Sequence, residues 1–327
     1  MTLSLSPSCP RPITLIDCAP TADDFRATVL SGLRRSPKSL PCKFFYDTAG
    51  SVLFDRICGL PEYYPTRTEL GIMRANIAAI TAAIGRDGFL VEYGSGSSLK
   101  TRLLLQALPD LAGYAPIDIS RAHLLRAARE LASTFPQLAL HPVCADYTQP
   151  FDLPMPGTSC RVTAYFPGST IGNFEPDEAV GFLRGIARTC GRGSGLLIGV
   201  DLVKDPAILH AAYNDSAGVT AAFNKNVLRR INDELHADID LSAFAHYAPY
   251  NPRQGRIEMN LVSLRDQVVS IGGERIAFAE GEPIHTESCH KYTLASFAAL
   301  AGEAGYTVSD VWTDERGYFS VQHLRAR

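Results

Sequence analysis

The 327-residue sequence predicts an α/β protein, a Rossmann-like parallel sheet joined to a second, smaller α+β lobe. Three observations carry that expectation. Residues 89–108 read as buried strand, glycine turn and helix: Phe89-Leu90-Val91 is a short apolar run of the kind a parallel sheet buries on both faces, and good helix-forming sequence from Lys100 is closed by Pro109. The same alternation of strand and helix repeats as far as Asp201, which favours right-handed βαβ units. From Leu202 it stops: two helical segments follow without a strand between them, then four strand patterns bounded by turn signals at Asn251-Pro252 and Gly272-Gly273.

In chain order, residues 1–13 are Ser/Pro-rich and expected to be disordered. Residues 22–35 form an amphipathic helix with Thr21 as cap and Asp23 and Asp24 in its first turn, ended by Pro37-Lys38-Ser39-Leu40-Pro41. A compact aromatic segment comes next, Phe44-Phe45-Tyr46-Asp47 and Leu53-Phe54, before Leu60-Pro61-Glu62-Tyr63-Tyr64-Pro65-Thr66-Arg67. Two prolines confine the backbone there, which fits either a surface loop pinned by buried tyrosines or a lid that presents a phenol. A helix over 69–84 leads into the central strand. Strands are then expected near 114–118, 138–144, 161–166 and 195–201, with helices over 123–135 and 177–189. Beyond Leu202 come helices over 206–217 and 219–237 and strands over 245–250, 256–265, 268–270 and 274–279. The helix over 294–304 and paired strands over 306–313 and 318–324 return to the large sheet, so its domain is discontinuous.

The glycine turn suggests the ligand. Gly94 and Gly96 let backbone approach a bound molecule, and free N–H groups of the first helical turn face whatever lies above the strand. The dinucleotide pattern G-x-G-x-x-G has Leu99 at its third glycine position, which weakens the NAD reading. Glu92, a serine-rich turn and a helix start able to take a carboxylate suit the amino-acid end of S-adenosylmethionine (SAM). Asp118, about 20 residues beyond the turn, sits at the tip of the next strand, where an acid can accept both ribose hydroxyls. Asp146 beside Tyr147 ends a third strand pattern, an acid for an adenine amine and a ring to cover the base.

A net charge of −3 with scattered Lys and Arg gives no footprint for nucleic acid or an anionic membrane. No apolar run reaches about 18 residues and the opening lacks a signal-peptide pattern, so a soluble cytoplasmic protein is expected. Eight cysteines lie far apart with no C-x-x-C pair, which argues against a zinc knuckle or a disulfide framework. His285, Glu287 and His290 have the wrong spacing for a helical zinc motif, so no metal is expected.

From about Leu30 onward the chain resembles the histidine-specific Nα-methyltransferase family of ergothioneine biosynthesis. The ordered signatures are Pro37 to Pro41, Leu60 to Arg67, Glu92-Tyr93-Gly94-Ser95-Gly96, Gly168-Ser169-Thr170-Ile171-Gly172-Asn173, Asp201-Leu202-Val203-Lys204-Asp205 and Arg256-Ile257-Glu258-Met259. The resemblance implies a SAM-dependent methyltransferase fold, with residues 68–203 and 292–327 as the methyltransferase domain and 14–67 and 204–291 as the substrate-binding domain. It also implies three successive methyl transfers that turn L-histidine into the betaine hercynine; a monomer acting on a small-molecule substrate is expected. By the same resemblance Gly94, Lys100, Asp118, Asp146 and Tyr147 hold the cofactor, with Tyr46 and Ser95 beside them. Tyr63 and Asn173, expected as the catalytic pair, join Gly168 and Tyr213 around the amine and carboxylate. Met259, Glu287 and Cys289 line the side-chain pocket, with Glu287 accepting an imidazole N–H. Cys289 departs from the family's usual Ser. On a strand it shares a face with Glu287 while Ser288 points the other way. A methyltransferase for another amino acid or small amine and a noncatalytic SAM-binding protein remain as rival readings.

Overall fold

The structure, a computed structural model, describes residues 13–18, 22–95, 99–149, 151, 153 and 160–327. The expectations for residues 1–12, for Thr21 as a cap and for Gly96, Ser97 and Ser98 fall outside these residues, as do the side chains of Asp23 and Asp24. Strand Phe89–Tyr93, buried at all five positions, lies at the centre of an eight-stranded sheet. Across the sheet the order is Ile16–Cys18, Val143–Ala145, Gly113–Asp118, Phe89–Tyr93, Val162–Phe166, Gly195–Asp201, Phe319–Ala326 and Tyr306–Thr313. The first six run parallel; Phe319–Ala326 inserts antiparallel to Gly195–Asp201 and pairs on its other side with Tyr306–Thr313. Strand order reverses between Phe89–Tyr93 and Val162–Phe166, which is where an open α/β sheet forms its ligand crevice.

The smaller lobe has a five-stranded sheet in which Pro283–His290 pairs with Lys38–Ser39 on one side and with Arg256–Ser263 on the other. Arg256–Ser263 alternates strictly, burying Ile257, Met259, Leu261 and Ser263, as a sheet with one wet face requires. Helix Val219–Leu235 packs there through Phe223, Val227, Leu228 and Ile231, at helical spacing. No helix among the described residues is long and apolar enough to cross a membrane.

Several expectations need correction. Ile16–Cys18, expected in the smaller lobe, is an edge strand of the large sheet, parallel to Val143–Ala145. The segment 138–144 enters the sheet fully only from Val143, because Pro142 has no N–H to give a ladder. The helix expected from Glu69 starts at Tyr64: Pro65 suits its first turn, and the Arg67 guanidinium holds the approach by donating to Leu60 O and Tyr63 O at 3.2 and 3.1 Å. Helix Thr48–Cys58 was not expected; the Asp47 carboxylate caps it, accepting from Gly50 N at 2.6 Å. Helix Pro206–Tyr213 stops short of Ala217, since Asp215 turns to cap the next helix by accepting from Val219 N and Thr220 N at 2.8 and 2.7 Å.

Candidate functional site

At the carboxyl end of the large sheet three strand tips meet. Gly94 adopts φ +78, a left-handed turn that glycine enters without strain, and the N–H groups of Gly94 and Ser95 both donate to Ile117 O at 2.9 and 3.1 Å. This draws the turn onto the tip that carries Asp118, whose Oδ1 accepts from Ser120 N at 2.8 Å. Burial pushes the Asp118 pKa up, against the Ser120 N–H, the His123 ring and the Ile119 and Ser95 N–H groups. The Asp146 carboxylate accepts from Thr148 N and Oγ1 at 3.0 and 2.6 Å and from Lys43 of the smaller lobe at 2.6 Å. Burial works against its charge, but Lys43 and Thr148 outweigh that and hold its pKa below the ordinary value. The Tyr147 ring stands edge-on to Tyr93 and Phe166, and a Cβ at Gly94 would lie 3.8 Å from it.

Glu92 does not face this crevice. Its carboxylate is buried and held by Thr101 Oγ1 at 2.8 and 2.9 Å and by the Tyr114 hydroxyl, so it secures the helix after the turn from below. Burial pushes its pKa up to about 7, with Tyr114 and Thr101 opposing. Lys100 is also engaged within the protein: its ammonium pairs with Glu69, which is 1% exposed. The same Glu69 carboxylate accepts from Gly168 N at 2.9 and 3.1 Å, so one acid ties the helix after the first turn to the second glycine loop. Gly199 leaves it room, for a Cβ there would fall 2.2 Å from Glu69 Oε1.

Against that loop lies a cavity of about 50 Å³ whose walls include all seven residues expected on the amino-acid side: Tyr63, Gly168, Asn173, Tyr213, Met259, Glu287 and Cys289. Tyr46, expected with the cofactor group, lines this cavity instead, because its ring packs edge-on to Phe54 and Phe223 of the smaller lobe's core. Asn173 Nδ2 donates to Glu287 Oε2 at 3.1 Å. It therefore does not cap the helix that starts at Pro176, where the Glu178 carboxylate takes the Glu175 N–H at 3.1 Å. Burial raises the Glu287 pKa to about 7 against the pull of Lys291. Glu287 and Cys289 share the cavity as strand alternation requires, while the Ser288 hydroxyl reaches Glu175 and the His285 ring at 3.2 and 3.1 Å. A cleft of about 960 Å³ opens outward from Asn173 and Glu287 between the lobes.

Behind the cavity wall runs a buried ionic network. Asp201 accepts from the Tyr64 hydroxyl at 2.7 and 2.8 Å, from Lys204 at 2.6 Å and from Lys291 at 2.8 Å. Burial pushes the Asp201 pKa up, but the two lysines overcome it and hold the acid below the ordinary range. Burial lowers Lys204 to about 8 despite Asp201, whereas Asp201 overcomes burial at Lys291 and keeps it firmly protonated. Lys291 also donates to the Tyr213 hydroxyl and to Cys289 Sγ, each at 3.0 Å, and the Tyr213 hydroxyl donates to Cys289 Sγ at 2.7 Å. Sequence reasoning missed Lys291, Glu69 and Lys43. Glu69 left one signal, an acid on the apolar stripe of a helix; Lys291 and Lys43 left none, since each meets its partners only through the fold.

The family described as histidine-specific methyltransferase, SAM-dependent, matches residues 25–326. Histidine N-alpha-methyltransferase of Mycolicibacterium smegmatis is 44% identical over 306 residues, 92% of this chain and 94% of that protein. Its namesake in Mycobacterium tuberculosis is 43% identical over 302 residues, covering 90% and 93%. Ergothioneine biosynthesis protein 1 of Neurospora crassa is 32% identical over 287 residues, 85% of this chain and 32% of that longer protein.

Proposed function

The chain belongs to the family of SAM-dependent, histidine-specific methyltransferases, and on that premise we propose that it methylates the α-amino nitrogen of L-histidine three times, giving hercynine for ergothioneine biosynthesis. The observation that carries the reading is the contact between the two ends of the crevice. Gly168 lines the amino-acid cavity and is tied through Glu69 to Lys100 at the cofactor turn.

The residues present fit SAM. Ser95 Oγ is buried with no hydrogen-bond partner among the described residues, directly after a Gly94 whose φ of +78 makes the turn. In this reading Asp118 takes the ribose hydroxyls, Asp146 and Tyr147 the adenine, and Gly94, Ser95 and Lys100 the amino-acid end. Bound there, SAM supplies an electrophilic methyl group and leaves as S-adenosylhomocysteine. The chain's own task is to hold a neutral amine in line and spread the charge it acquires. Tyr63 and Asn173 orient the amine; Tyr213 and the Gly168 loop meet the carboxylate; Glu287 accepts an imidazole N–H, with Met259 and Cys289 packing the ring. Burial keeps the phenols of Tyr46, Tyr63 and Tyr213 protonated, so they orient rather than act as bases, and the amine's proton leaves to water. Their faces also stabilise the growing alkylammonium by cation–π attraction. In this reading the smaller lobe binds the substrate, and the protein acts as a monomer in the cytoplasm.

The test is incubation with labelled SAM and single amino acids, read by mass spectrometry. Histidine should gain three methyl groups. Transfer to another amino acid and none to histidine would reject the substrate and favour the second reading, which the Cys289 departure supports.

A further inference from the structure

The cavity wall at Tyr213 and Cys289 is backed by a buried charge that is not part of the cavity's lining. Lys291 has a fully buried side chain, does not line the cavity, and spends all three of its protons on Asp201, Tyr213 and Cys289. By accepting from this ammonium, the Tyr213 oxygen has its own proton turned to the cavity side, where it rests on Cys289 Sγ at 2.7 Å. That contact with a weakly accepting sulfur is one an incoming oxygen anion can displace. Below about pH 8, where Lys204 keeps its proton, the network also carries an excess of positive charge: Lys204 and Lys291 face the single carboxylate of Asp201, while Tyr64 and Tyr213 stay neutral. The cavity's own acid, Glu287, is hydrogen-bonded to Asn173 rather than to this cluster.

We propose that Lys291 is the positioning residue that makes the cavity select a free α-carboxylate, acting through the Tyr213 hydroxyl. The inference rests on the histidine reading and deepens it. The Tyr213 hydroxyl, polarised by the buried ammonium, meets a carboxylate oxygen with a charge-assisted hydrogen bond. An amide oxygen gains much less, and a decarboxylated amine gains nothing. The substrate class is thus the α-amino acid with its carboxylate free, not its amide, its ester or the corresponding amine.

The test compares L-histidine with L-histidinamide, which keeps the imidazole and the α-amine, in the wild type and in Lys291→Met and Lys291→Gln. In the wild type the KM for the amide should exceed that for the acid by about 10- to 100-fold, the range of one charge-assisted hydrogen bond. In both variants the gap should close to within about threefold through a higher KM for histidine, with the amide's KM and the calorimetric affinity for S-adenosylhomocysteine unchanged. Lys291→Met leaves Asp201 with Lys204 and Tyr64, a balanced pair, so the fold should survive. A gap restored by Gln, which keeps hydrogen bonding without charge, would overturn the proposal, as would an equal rise in KM for both ligands. The wild-type comparison decides alone if neither variant folds: equal KM values for acid and amide would remove the inference and leave histidine methylation standing. No turnover of histidine at all would remove both.

Discussion

The two ends of the crevice satisfy their polar groups in different ways. At the end proposed for the cofactor most contacts are local, with Asp118 accepting from Ser120 N and Asp146 from Thr148, although Asp146 also takes Lys43 of the smaller lobe and the Gly94 turn rests on the neighbouring strand. At the amino-acid end they run between side chains far apart in the sequence, as in Asn173 with Glu287, Tyr213 with Cys289 and Lys291 with Asp201. Local contacts form wherever a strand, a turn and a helix form. Of these, Asn173 with Glu287 and Lys291 with Asp201 exist only when both lobes have folded, and with low-dielectric surroundings each missing partner is costly. Neither Glu287 nor Asp118 belongs to the Gly168–Glu69–Lys100 tie between the ends, so damage at either should leave the other end's ligand bound almost normally.

Glu287→Ala is expected to have the largest effect on this contrast. It removes the charged acceptor for the imidazole and leaves Asn173 Nδ2 without its partner, so the KM for histidine should rise by about 30- to 150-fold, or 2 to 3 kcal/mol. Affinity for S-adenosylhomocysteine should stay within about twofold. Parallel titrations with the two ligands check this; equal losses for both would mean that the ends are coupled.

The converse variant, Asp118→Ala, should cost S-adenosylhomocysteine more than tenfold in affinity, about 1.5 to 3 kcal/mol, by removing one charge-assisted ribose contact. The KM for histidine, measured at saturating SAM, should hardly move. Calorimetry settles the first half, and an unchanged affinity there would take Asp118 out of the site.

The same contrast explains what the sequence disclosed. The parallel sheet, the return of the last two strands and the grouping of Gly94, Asp118, Asp146 and Tyr147 were legible because each depends on a local pattern or on one spacing between strand tips. The cavity residues were legible only through the resemblance, since no periodicity places Asn173 beside Glu287. Tyr46, expected with the cofactor group, lines the cavity of Tyr63 and Glu287, because an aromatic cluster in the sequence says nothing of which lobe packs it. Glu92 misled for a related reason: an acid next to a glycine turn looks like a ligand group, but its neighbours Thr101 and Tyr114, which take it inward, become visible only in three dimensions. Lys291 stayed hidden because its value lies in a charge balance with Asp201 and Lys204 that no single segment contains.

The pH dependence of Glu287 sharpens the comparison at smaller amplitude. Its pKa of about 7 in the free protein lies above the ordinary carboxylate value, so it gains a proton as pH falls through 7 and loses its strength as an acceptor. The ratio of kcat/KM between wild type and Glu287→Gln cancels the titration of histidine itself. It should fall from pH 8 to pH 6 by up to about tenfold, the limit for one group over one pKa unit. A flat ratio would mean that Glu287 stays charged throughout. Stability should move the opposite way: because the folded state keeps this proton to a higher pH than the unfolded chain does, burying the charge costs most above 7. Glu287→Gln should thus melt higher than wild type at pH 8, with the gain shrinking as pH falls below about 7.

The smallest expected effect concerns Cys289. Its sulfur is not simply filling space against Met259, for it accepts from both Tyr213 and Lys291. A serine hydroxyl at this position is a better acceptor for those donors and a better partner for the second imidazole nitrogen, worth up to roughly 1 kcal/mol. Cys289→Ser should therefore lower the KM for histidine severalfold with little change in kcat, the pattern of an interaction present equally in ground and transition states. The opposing consequence lies in the Tyr213 proton: an oxygen at 289 holds it more firmly than sulfur does, so the carboxylate displaces it less readily and part of the gain is lost. The histidine-to-histidinamide ratio separates these contributions. If the KM for both ligands falls by the same factor, the gain belongs to the imidazole; if it falls for the amide and rises for the acid, Cys289 serves mainly to keep the Tyr213 hydroxyl available to the carboxylate.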